Sequence, residues 1–208
     1  GMAARIEGKA ASVNDVTGMA QKGGPVLAHV IFAARAEALT VDRIGTADAD
    51  ALIAADAVVA TMPDAFRRLG PRTHAVVSSE ETPTGAFPRD ADAQIQTAAL
   101  MKRLDDRVRT LEKLPAISAA RAATGDPITA GMLLLGFAFQ RGLVPLGKAA
   151  IEQAIRLNRV QVEKNTAAFA WGRALAADSS NQEMLGIVDA APETLDAMIK
   201  RRIAFLTD

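Results

Sequence analysis

Cysteine is absent from the 208 residues. The chain therefore carries no disulfide, no thiolate-held iron–sulfur cluster and no cysteine zinc site. Histidine is nearly as scarce. His29 and His74 are the only two, too few for a histidine-rich centre, so no metal site is expected. Tyrosine is missing, and one tryptophan with seven phenylalanines offers little surface for stacking single-stranded bases. Neither sign of charge is in excess, because 24 basic residues balance 24 acidic ones. A nucleic-acid partner needs a basic excess on one face and is not expected. No apolar run approaches the roughly 20 residues of a membrane span. The N-terminus also lacks the apolar core of a signal peptide. A soluble, cytoplasmic protein without a membrane partner is the expectation.

Half of the residues are hydrophobic, enough to fill the core of one domain of this length. Residues 2–7 read as the end of a helix stopped by Gly8. Residues 9–15 read as a strand. Residues 26–34 are almost continuously hydrophobic, as suits a strand covered on both faces. A brief edge strand is expected at 41–44, an alanine-rich helix at 48–55 and a β-branched strand at 56–62. Pro63 favours an extended residue before it. A short helix at 64–69 and a strand at 73–79 follow. This alternation predicts an α/β fold, three-layered α/β/α with a mostly parallel sheet.

The pattern then changes. Residues 91–114 place Ile95, Leu100, Leu104, Val108 and Leu111 at helical spacings. Asp126-Pro127 marks a helix start. The helix it opens, 128–140, is apolar nearly all round, so it must lie buried between other elements or in an interface. Further helices are expected at 145–157, 160–176 and 193–206. The Lys200-Arg201-Arg202 cluster of the last one reads as a solvated face helped by the helix dipole. The division is thus an α/β core over 1–90 and a helical region over 91–208 that packs on it as one structural unit.

In a parallel sheet, ligands bind beyond the carboxyl ends of the strands, and two loops hold such positions. The first runs from Asp15 to His29 and contains Gly18, Met19, Gln21, Lys22, Gly23 and Gly24. Its glycines serve either an anion-binding concavity of backbone N–H groups or tight-turn geometry alone. Lys22 suits a phosphate or a neighbouring carboxylate, or plain exposure. His29, inside an apolar strand, reads as a hydrogen-bonded core or interface histidine ahead of an acid–base group. His74 reads as surface. The second loop carries Glu80, Glu81, Thr82 and Thr84. Adjacent residues on an extended chain point opposite ways. Glu80 and Glu81 therefore suit a cap or a ribose-type hydrogen-bonding site better than an acid–base pair. Dinucleotide, phosphate-loop, nucleophile-elbow and metalloprotease motifs are all missing. No catalytic residue is assigned.

The segment Thr17-Gly18-Met19-Ala20-Gln21-Lys22-Gly23-Gly24-Pro25, followed by Ala28-His29-Val30, resembles a known signature. It is that of the gamma domain of 2-oxoacid:ferredoxin oxidoreductases. Asp56-Ala57-Val58-Val59-Ala60, Glu81-Thr82-Pro83-Thr84-Gly85, Gly142-Leu143-Val144-Pro145-Leu146 and Ala168-Phe169-Ala170-Trp171-Gly172-Arg173 look like indolepyruvate ferredoxin oxidoreductase. The resemblance implies part of an enzyme that oxidatively decarboxylates an arylpyruvate to an acyl-coenzyme A. Thiamine diphosphate, iron–sulfur clusters and coenzyme A are implied for the full enzyme, with none bound by this chain alone. The implied partners are the thiamine-diphosphate-binding domains or subunits and, indirectly, ferredoxin. Pro25 and Ala28 depart from the family's small or apolar residue and its serine. The family's first strand and glycine-rich turn are expected to be missing ahead of Met2. The isolated chain is expected to be inactive and homo-oligomeric. Two other readings remain: a free-standing dimerisation module without catalysis, and a small coenzyme A- or nucleotide-binding protein.

Overall fold

The computed structural model describes residues 1–17, 25–80, 97–178 and 180–186. The first helix, α1 (Met2–Ile6), ends at Gly8, whose φ of 70° suits a residue without a side chain. Two strands follow, β1 (Ala10–Thr17) and β2 (Val26–Ala33), paired antiparallel from Ala10 opposite Ala33 to Thr17 opposite Val26. They form a separate two-stranded sheet. This corrects the expectation of a strand covered on both faces at 26–34. Val26 is 64% exposed, and only His29 in the strand is buried. An unbroken apolar run here marks a strand with one open face. The edge strand expected at 41–44 is not formed among the described residues.

A second correction is an exchange of elements. Residues 48–55 hold a strand, β3 (Ala51–Ala54), where alanine content had suggested a helix. Residues 56–62 hold a helix, α2 (Ala57–Thr61), where Val58 and Val59 had suggested a strand. The deciding group is Asp56. Its Oδ1 accepts from the Val58 N–H at 2.7 Å and the Val59 N–H at 3.4 Å, capping the helix start. Pro63 then opens α3 (Pro63–Phe66) at its first position. The next strand, β4 (His74–Ser78), lies where it was expected.

Residues 91–114 do not make one helix. After α4 (Thr97–Asp105) comes β5 (Thr110–Leu114). Leu111 and Leu114 are three apart, which a helix would put on one face and a strand on two. Leu111 packs with the cluster of α2 and α4, and Leu114 with the opposite cluster. The three strands run parallel in the order β3–β4–β5, so β4 is central. Its Ala75 and Val77 face α2 and α4, while Val76 faces the helices on the other side. Val76 and Val77 are fully buried. Each contributes about 1.5–3 kcal/mol of apolar burial. The fold is α/β with helices on both faces of a parallel sheet.

The second face is covered by α5 (Ala116–Thr124), α6 (Ala130–Gln140) and α8 (Val162–Ala177), flanked by α7 (Lys148–Asn158) and the short α9 (Asn181–Met184). Gly125, at φ 73°, ends α5, and Asp126 caps the 3-10 turn Pro127–Thr129 that leads into α6. The apolar α6 is enclosed between the sheet and α8. The helix expected at 193–206 lies outside the described residues.

The α6–α8 crossing is unusually close. A side-chain carbon on Gly136 would stand 2.1 Å from the Phe169 carbonyl oxygen. One on Gly172 would stand 1.9 Å from the Leu133 carbonyl oxygen. Each glycine thus receives the other helix's backbone, and neither carbonyl can move aside without unwinding its helix. Gly136→Ala and Gly172→Ala are each expected to cost about 3 kcal/mol by overpacking, lowering Tm by roughly 6–12 °C. Gly131→Ala, on the same helix with open space around it, is the control. Alanine's helix propensity should leave that variant as stable or stabilised by up to about 1 kcal/mol. Equal losses at Gly131 and Gly136, read by calorimetry, would contradict the close crossing.

Candidate functional site

Of the first loop's candidates, His29 lies among the described residues. Gly18, Met19, Gln21, Lys22, Gly23 and Gly24 lie outside them, as do Glu81, Thr82 and Thr84 of the second loop. His29 sits in β2 and is 1% exposed. Its Nδ1 accepts a hydrogen bond from the Ile44 backbone N–H at 3.0 Å. That acceptor role places the ring proton on Nε2, which has no partner. Burial is the main cause holding the His29 pKa below the usual histidine value. The Arg68 charge adds to it, Asp64 opposes it, and Arg43 and Arg67 depress it further.

Arg68, 8% exposed, closes the arrangement. Its Nη1 donates to the Ile44 carbonyl and its Nη2 to Asp64 Oδ1 at 3.0 Å. Arg67 pairs with the same oxygen at 2.5 Å. Both backbone groups of Ile44 are thus held by side chains from two different layers. Sequence reasoning found His29 but not Ile44, Arg68 or Asp64. The Asp64–Arg68 spacing of four was the one available signal.

Glu80 follows the end of β4 by two residues and reaches the start of α5. Its carboxylate accepts from the Ile117 N–H at 2.5 Å, the Ser118 N–H at 3.0 Å and the Ser118 hydroxyl at 2.5 Å. The orphan N–H groups of a helix start draw an anion, and here the chain supplies its own. This is the carboxyl end of the sheet, the position a phosphate would take. His74 stands elsewhere, at the start of β4. Its Nδ1 lies 2.8 Å from Thr110 Oγ1 on the neighbouring strand. No hydrogen bond or ion pair among the described residues joins His29, His74 and Glu80 into one constellation.

A groove of about 1530 Å³ lies between the hairpin, the outer edge of β3, α6 and α7. Val30, Leu52, Ile53, Met132 and Ile155 are among its walls. On its other edge β3 has no strand partner among the described residues. Two of the arginines that line it are held in ion pairs. Arg72 pairs with Asp48 at 2.9 Å and Asp50 at 3.2 Å, and Arg141 pairs with Glu112 at 2.6 Å. The groove exceeds a usual small-ligand pocket.

The family model described as pyruvate ferredoxin/flavodoxin oxidoreductase matches residues 1–175. Six solved chains match as well. One is the gamma subunit of a keto/oxoacid ferredoxin oxidoreductase from Geobacter sulfurreducens PCA, 23% identical, with a TM-score of 0.55. That likeness covers 85% of this chain and 86% of the other, and shows a shared fold. No curated protein matches significantly.

The Glu80 cap generates a direct test. Glu80→Ala is expected to cost about 1 kcal/mol, the usual loss on removing a helix cap. Hydrogen exchange should quicken at the Ile117 and Ser118 amides and leave the start of α8 unchanged. Unchanged exchange at both amides would contradict the capping geometry.

Proposed function

Because the chain belongs to the pyruvate ferredoxin/flavodoxin oxidoreductase family, we propose that it is the gamma-type subunit or domain of a 2-oxoacid:ferredoxin oxidoreductase of the indolepyruvate kind. The observation that carries this reading is the family match over residues 1–175, which takes in the whole parallel sheet and the helices through α7. The segments at 56–60 and 81–85 support the arylpyruvate preference.

In this reading the chain packs against the thiamine-diphosphate-binding subunits and helps shape the approach to them. The residues present do not fit an iron–sulfur cluster, since the chain has no cysteine. Among the described residues no group of three or more histidines and carboxylates converges on one point. The helix start that would favour a phosphate is filled by Glu80. In this reading thiamine diphosphate, the clusters and coenzyme A belong to the partner subunits, and ferredoxin meets the enzyme there. Cytoplasmic residence belongs to the same proposal, and no helix among the described residues is long and apolar enough to cross a membrane.

The test is arylpyruvate-dependent dye reduction with coenzyme A and thiamine diphosphate. The isolated chain should give no turnover, and mixing it with the thiamine-binding subunits should restore activity along with a larger species in light scattering. Turnover by the chain alone overturns the subunit reading. Failure to associate with those subunits favours a free-standing dimerisation module.

A further inference from the structure

Among the described residues, two hydrogen bonds tie the β1–β2 hairpin to the rest of the protein, and both leave from one rung. Asn14 and His29 stand opposite each other in the register. The Asn14 amide donates to Asp42 at 3.2 Å in an exposed bond. His29 accepts from the Ile44 N–H at 3.0 Å in a part-buried one. Directly opposite residues of an antiparallel pair share one face, so residues 42–44 receive that face of the hairpin through both bonds, and Arg68 fixes their far end through the Ile44 carbonyl.

The buried tie exists in one protonation state. A neutral imidazole can accept at Nδ1, whereas an imidazolium carries N–H at both nitrogens and accepts nothing. Protonation would set an N–H against the Ile44 N–H and place a second cation beside Arg68. The surrounding groups offer little compensation. Arg68 and Arg67 on the α3 side, and Arg43 before β3, are positive. The single opposing carboxylate, Asp64, already receives Arg67 and Arg68. From β1 the opposite residue is the uncharged Asn14.

We propose that His29 is a pH-sensitive latch, which holds the β1–β2 hairpin to the parallel-sheet layer when neutral and releases it when protonated. The sign follows from the direction of the shift. The folded-state pKa is depressed, so below the unfolded value of about 6.5 the unfolded chain binds a proton that the latched state does not. Stability is complete above that value and falls as pH drops through it.

The test is amide hydrogen exchange, corrected for intrinsic rates, between pH 7.5 and 5.0. In the wild-type chain, protection of the Ile44 amide should fall at least tenfold across this range, and NMR should place the His29 midpoint below 6.5. In His29→Asn, whose side-chain oxygen can accept but does not titrate, protection should persist. Protection kept in both proteins, or lost equally in both, overturns the latch. If His29→Asn does not fold, the exposed Arg43→Gln decides. Removing that positive charge should move the opening midpoint to higher pH, and an unmoved midpoint overturns the proposal.

Discussion

The crossing of α6 over α8 is the contact on which the other layers depend. Backbone meets backbone at Gly136 and Gly172, so the spacing of the two helices is set by carbonyl oxygens and cannot be tuned by side-chain repacking. With α8 fixed, α6 becomes a rigid wall against Val76 and Leu114, and β4 is closed from that side. Its other side is closed by Met101 and Leu104 of α4 with Ala57 and Ala60 of α2. The strands can then present their carboxyl ends, and Glu80, in one place.

How much of this the sequence shows depends on which force decides each segment. Where burial pattern and capping agree, as at β4, at Asp126-Pro127 and in the all-apolar α6, the sequence reading and the structure coincide. Residues 51–62 failed because composition was weighed above a single polar group. Alanine propensity is overridden by pairing with β4, and two valines enter a helix because Asp56 caps it. At 110–114 the spacing of Leu111 and Leu114 fits both periods, and only the free side of β4 decides between them. The candidate site was legible in part. A histidine in an apolar strand signals a buried acceptor, but the Ile44 amide it serves lies fifteen residues away and carries no mark in the sequence.

Several of the described polar groups are engaged within the chain. Glu80 fills the helix start, Asp56 caps α2, Arg72 and Arg141 are neutralised, and His29 serves a backbone amide. Active sites commonly leave charged groups poised towards a cavity. Here the groove mixes apolar residues such as Val30, Leu52 and Met132 with charged ones, of which Arg72 and Arg141 are held in ion pairs.

The outer edge of β3 carries a physical consequence for handling the protein. Ala51–Ala54 is wholly apolar, Ile53 is 39% exposed, and the backbone groups on that side are unpaired among the described residues. An uncovered apolar edge is a template for intermolecular strand pairing. The formal net charge of zero supplies no long-range repulsion to keep copies apart. Among the described residues, these four of one strand are therefore where pairing between copies would begin.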